Sequence, residues 1–130
     1  MSMELSRWRL EKVHSTFLEG EKLLEIAFYS GAINRFYYAA FHAARALLAT
    51  RQMDSSKHSG VISLFNREFV KPGLISKESG KTLNAAFNIR SEADYDDFTE
   101  FTLSECESMR ESVKLLIIEV EKYIEKQKTV

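Results

Sequence analysis

The sequence predicts an all-α protein, an up-and-down antiparallel bundle of about five helices. Apolar residues recur at three- and four-residue intervals in separate stretches, and none shows the two-residue alternation of a strand. One proline and five glycines among 130 residues leave long runs clear of helix breakers. The connections between stretches are short, as antiparallel neighbours require. A chain of this length, 45% apolar, buries roughly two-thirds of its unfolded surface and is expected to form one domain, residues 1–130.

Residues 4–28 read as the first amphipathic helix, with Leu10, Val13, Phe17, Gly20, Leu24 and Phe28 on one stripe. Gly20 would let a neighbouring helix approach closely, at a cost of about 1 kcal/mol in helix propensity. Trp8 and Ile26 lie on a second face, suited to another helix or a second subunit, and His14 reads as a packing residue at the stripe's edge. Tyr29-Ser30-Gly31 reads as a stop and restart with glycine as C-cap. The second helix runs on to about Arg51, and Gln52 to Lys57 is a polar connector. His58-Ser59-Gly60 opens a shorter helix to about Val70, with Ile62, Phe65 and Phe69 inward, and Lys71-Pro72-Gly73 ends it. A fourth helix spans Lys77 to Tyr95 on Leu83, Ala86 and Phe87; Arg90 and Asp94 continue its stripe and are spaced to pair. Asp94 to Phe101 reads as a loop. The last helix, about Thr102 to Lys126, opens on a capping box, Thr102 with Glu105. Its stripe is Leu103, Cys106, Met109, Val113, Leu116, Ile117, Val120 and Ile124, and the residues beyond it read as a frayed end.

The second helix organises the rest. On a helical wheel Asn34, Arg35, Tyr38, His42 and Arg45 fall in one stripe roughly 100° wide, and the remainder is apolar. Such a helix belongs at the centre of the bundle. Its polar stripe either faces water or lines a site. It contains no Glu, Lys or Gln, the usual fillers of a wet face, whereas arginine, tyrosine and histidine suit phosphates and bases.

Composition narrows the function classes. The one cysteine, Cys106, cannot form an internal disulfide, falls in the core and points to a cytoplasmic chain. The N-terminus MSMELSRWRL has no signal-peptide run, and no apolar stretch approaches a membrane span. Net charge is −1, yet residues 34–90 carry nine basic against three acidic side chains, and residues 91–130 five against eleven. A basic middle attracts phosphate-bearing ligands unless folding cancels the two fields. No glycine-rich phosphate loop, His-Glu-x-x-His motif or cysteine pair occurs, so neither a metal nor a cofactor is expected. The acidic run Asp94, Asp96, Asp97, Glu100 lacks the glycine and distal glutamate of a calcium loop.

The run Asn34-Arg-Phe-Tyr-Tyr-Ala-Ala-Phe-His-Ala-Ala-Arg-Ala-Leu-Leu, with Lys57-His-Ser-Gly-Val-Ile, Glu68-Phe-Val-Lys and Arg90-Ser-Glu-Ala-Asp-Tyr95, resembles the HEPN domain family (higher eukaryotes and prokaryotes nucleotide-binding). The resemblance covers nearly the whole chain. It implies a bundle of four or five helices, a dimer, and a nucleotidyltransferase partner in a toxin–antitoxin pair. Active members are metal-independent ribonucleases with an Arg-x4-6-His motif. Arg90 matches that arginine, and the histidine position falls on Tyr95, a poor base at neutral pH. No histidine follows His58, and Ser91 to Met109 holds seven acids and no base.

The expected function is therefore a HEPN-like nucleotide- or RNA-associated partner subunit of a minimal nucleotidyltransferase, forming a homodimer. It is not expected to be an efficient ribonuclease. Ligand binding would fall to Arg35, Tyr38, His42 and Arg45, converging on Arg90. The alternatives are a ribonuclease toxin using Arg90 and Tyr95, with His42 also available to move protons, and a structural dimer with no small-molecule site.

Overall fold

Five helices follow one another along the chain: α1 (Glu4–Glu25), α2 (Tyr29–Ala49), α3 (His58–Phe65), α4 (Lys77–Tyr95) and α5 (Leu103–Lys128). The computed structural model describes residues 3–95 and 100–128, and of 93–95 only the backbone. A π-helical turn, Asn66–Val70, prolongs α3. No strand occurs among the described residues.

The predicted bundle is the fold, and α2 is its axis. It packs against all four other helices, which its composition makes possible. Ala32, Ile33, Phe36, Tyr37, Phe41, Leu47, Leu48 and six further alanines are buried around most of its circumference. The small alanines let neighbouring helix backbones close in from several directions, and Phe36 and Tyr37 fill the gaps between them. Gly20 of α1 serves the same end, because a Cβ there would stand 2.7 Å from the Phe36 ring. From α5, the whole predicted stripe from Cys106 to Ile124 is buried.

Several boundaries differ from the sequence expectation. α1 stops at Glu25, and the chain reverses at Ala27 (φ 62°), where Phe28 N–H bonds the Leu23 carbonyl at 2.9 Å. An L-residue in the left-handed region carries no sequence signal as plain as glycine. Phe28, expected on the buried stripe, is therefore 61% exposed. Gly31 lies inside α2, not at a C-cap; a Cβ there would meet Leu23 Cδ1 at 3.2 Å, so it too permits close helix approach. Val61 is fully buried at the start of α3, and Ile62 packs half-buried against the core beside it. Leu103 is 48% exposed because it precedes the first full turn of α5 packed on the core. His14 does not pack: it reaches Glu121 of α5 at 2.8 Å across the surface. The loop expected from Asp94 starts later, since α4 continues through Tyr95, and residues 96–99 lie outside the described residues.

Two end signals hold as read. Thr102 and Glu105 exchange the reciprocal bonds of a capping box, Glu105 N–H to Thr102 Oγ1 at 3.1 Å and Thr102 N–H to Glu105 Oε1 at 3.0 Å. Gly73 takes the left-handed turn (φ 84°) after Pro72. At the start of α4, Ser76 caps Ser79 N–H, and Glu119 of α5 accepts from Ser76 N–H, Ser76 Oγ and Ser79 Oγ. Burial would raise this carboxyl's pKa, but the bonds from Ser79 and Ser76 outweigh it and hold the group below the usual range.

Candidate functional site

The polar stripe of α2 is neither a wet face nor core. Asn34, Arg35, Tyr38, His42 and Arg45 are each half-buried. Neighbouring elements lean over them and leave them partly exposed.

Arg90 reaches the stripe from α4. Its Nη2 donates to Tyr38 Oη at 3.0 Å, and its guanidinium carbon lies 5.4 Å from the Tyr38 ring centre and 5.7 Å from that of Tyr37. Arg35 stands over the same Tyr38 ring at 5.2 Å, held by two bonds to Asn34 Oδ1 and an ion pair with Glu19 at 3.8 Å. Two guanidiniums therefore share one aromatic ring, which spreads their charge over a π face. His42 lies one turn further on, its ring centre 6.1 Å from those of Tyr38 and Phe41. Burial first, then Lys12, Arg45, Arg35 and Arg9, push its pKa down to about 4. It is a neutral imidazole among cations at pH 7.

Arg45 is held by a carboxylate rather than by the Tyr38 ring. It grips Asp54 of the connector with two bonds, Nη2 to Oδ2 at 2.8 Å and Nε to Oδ1 at 3.2 Å. Arg9 of α1, only 7% exposed, joins them, donating to Asp54 Oδ2 at 3.2 Å and to the Arg45 carbonyl at 3.0 Å. The Arg45 hydrogen bond is the main reason the Asp54 pKa falls below its ordinary value. This triad pins the α2–α3 connector to α1 and α2.

Three residues went unnoticed in the sequence. Tyr37 counted as apolar, yet its Oη lies 2.7 Å from His58 Nδ1. His58, read as a helix opener, stacks on Phe41 with ring centres 4.2 Å apart and meets Tyr38 edge-on at 5.7 Å. Asp54 looked like connector polarity. The available signal was local: His58 follows Lys57 in one of the quoted runs, and Tyr37 adjoins Tyr38. Burial, opposed by Arg90, raises the Tyr37 pKa well above the phenol range; burial with the Arg90 and Arg45 charges lowers that of His58. Both groups are neutral at pH 7. Phe41, Arg45, Asp54, Ser55, Ser56 and His58 line a cleft of about 520 Å³. Among the described residues no three metal-ligating side chains gather. The Tyr95 side chain, and the expected Arg90–Asp94 pairing, lie outside the described residues.

A helical bundle whose central helix meets an arginine from α4 agrees with the comparison to known families. The HEPN domain matches residues 6–123. This chain belongs to the HEPN family. Among its relatives, a protein of Methanocaldococcus jannaschii named "putative toxin" is 33% identical over 115 residues, 88% of this chain and 78% of its own. A "UPF0332 protein" of Thermotoga maritima is 42% identical over 94 residues, 72% of this chain and 71% of its own. A second "putative toxin" of Methanocaldococcus jannaschii is 42% identical over 73 residues, 56% and 54% of the two chains. In this HEPN domain the Arg90 segment is thus presented to α2.

Proposed function

We propose that this HEPN protein is the toxin-type partner of a minimal nucleotidyltransferase, and that Arg35, Tyr38, His42 and Arg90 bind a phosphate-bearing ligand, nucleotide or RNA. The observation that carries the reading is the meeting of Arg90 and Arg35 on the Tyr38 ring. Guanidiniums offer forked N–H donors to phosphate oxygens, and an adjacent aromatic face suits a base. A neutral His42 adds a hydrogen-bonding group without further charge repulsion. The toxin names of two relatives support the toxin part of the reading. Calorimetric titration of ATP and of a short RNA into wild type and Arg90→Ala is the test. Wild type is expected to bind at least one, and the variant to lose roughly tenfold or more in affinity. Silence from wild type with both ligands would leave the stripe as internal packing. Co-expression with a minimal nucleotidyltransferase should yield a co-eluting complex, and the HEPN chain alone is expected as a homodimer.

One observation favours a second reading, a metal-independent ribonuclease. His58 stands on the same two tyrosine rings as Arg90, although the chain has no histidine after it. RNA cleavage in excess chelator, abolished by Arg90→Ala, would establish it.

A further inference from the structure

We propose that His58, oriented by Tyr37, is the proton-transfer residue of the Arg90 site, filling the part that position 95 does not fill with a histidine. The inference rests on the ribonuclease reading and deepens it. Arg90 comes from α4 and His58 from the first turn of α3, and the adjacent residues Tyr37 and Tyr38 of α2 hold both. Tyr38 accepts the Arg90 bond and meets the His58 ring edge-on; Tyr37 lies under Arg90 and bonds His58 Nδ1. Phe41 stacks on His58 and fixes the plane of the imidazole. His58 has one nitrogen engaged by a neutral partner, one ring face covered by Phe41 and a place on the 520 Å³ cleft, and Nε2 is the nitrogen that the Tyr37 bond leaves over.

The chemistry balances without any added reagent. His58 Nε2 takes the proton of a ribose 2′-hydroxyl, and the 2′-oxygen forms a bond to the adjacent phosphorus. The bond from phosphorus to the 5′-oxygen breaks, and that oxygen leaves with a proton from water or from the imidazolium. The products are a 2′,3′-cyclic phosphate and a 5′-hydroxyl. Arg90 neutralises the charge that builds on the non-bridging oxygens. The step requires the neutral tautomer with its proton on Nδ1, donating to Tyr37 Oη, so that Nε2 carries the lone pair; the imidazolium then keeps that Nδ1–H on the Tyr37 oxygen. Tyr37 is a positioning residue.

The groups around His58 are Tyr37, Tyr38 and Arg45 of α2, Asp54 of the connector and Arg90 of α4. Desolvation and the Arg90 and Arg45 charges keep the ring neutral, so the acid limb of a rate profile should lie below the ordinary histidine value of about 6.5.

The test measures cleavage of a defined RNA in chelator by the full chain, as wild type, His58→Gln, His58→Ala, Tyr37→Phe and Arg90→Ala, each checked for helicity. His58→Gln and His58→Ala are expected to lose roughly 10²- to 10⁴-fold in rate. Added imidazole should restore part of the His58→Ala activity, which a packing role would not allow. Tyr37→Phe should keep cleavage at a reduced rate and move the acid limb. A folded His58→Gln at the wild-type rate, with Arg90→Ala inactive, overturns the inference and leaves the ribonuclease reading standing. If His58→Ala does not fold, His58→Gln and the pH profile decide. A wild type that cleaves no RNA removes the reading and the inference together.

Discussion

His42, which the proposed function places among the ligand-binding residues, also carries a stability signature. Its pKa of about 4 in the folded protein lies below the unfolded value near 6.5. Between those values the unfolded chain binds a proton that the folded chain refuses, so stability falls as pH drops from about 6.5 toward 4. His42→Gln removes that titration. Urea unfolding at neutral pH and near pH 4.5 should show the wild type losing on the order of 1 kcal/mol more than the variant, after allowance for the ring's partial exposure. Equal losses in both would show that the burial and the cations do not govern this ring. Asp54 and Glu119 also lose stabilisation as pH falls, but they do so in both proteins and cancel in the comparison. At Arg90 the expected signature is ionic: replacing it should lower the steepness of the salt dependence of RNA binding by about 0.7 per lost phosphate contact.

Between elements, the α1–α2 contact depends on two glycines that look alike in sequence and differ in what they face. A Cβ at Gly20 would stand within 2.7–2.8 Å of two carbons of the Phe36 ring, which is fixed in the core. A Cβ at Gly31 would meet the flexible end of Leu23 at 3.2 Å. Overpacking costs roughly 1–3 kcal/mol, and alanine in a helix returns up to about 1 kcal/mol. Gly20→Ala should therefore lower stability in chemical unfolding, and Gly31→Ala should be close to neutral. The reverse order would mean that α1 can slide on α2. The same contact explains why the polar triad of Arg9, Arg45 and Asp54 sits where it does: Arg9 shares the buried side of α1 with Val13 and Thr16.

For the molecule as a whole, the uneven charge along the sequence maps onto different elements. Arg35, Arg45 and Arg90 all come from the basic stretch 34–90, while the acid-rich stretch supplies the end of α4 and all of α5. Outside the site, Trp8, Leu18, Leu115 and Ile118 of α1 and α5 are exposed. We expect the solution mass to be twice the chain's 15.0 kDa, measured by sedimentation equilibrium. A mass of one chain at micromolar concentration would remove the homodimer from the proposed function. No helix among the described residues is long and apolar enough to cross a membrane.

The sequence by itself determined the helices, the place of α2 at their centre and the membership of Arg90 in its stripe, because 3.6-residue periodicity records which side of each helix is buried. It did not locate the turn at Ala27, since that reversal depends on a strained backbone angle rather than on a characteristic residue. Nor did it separate Arg45 from the other stripe residues, because the Asp54 that claims it lies nine positions away in an irregular connector. Only the tertiary structure decided that the half-buried stripe receives Arg90 on Tyr38 and His58 on Tyr37. Those contacts join residues 52 and 21 positions apart, and no local pattern encodes the distance between helices that have yet to pack.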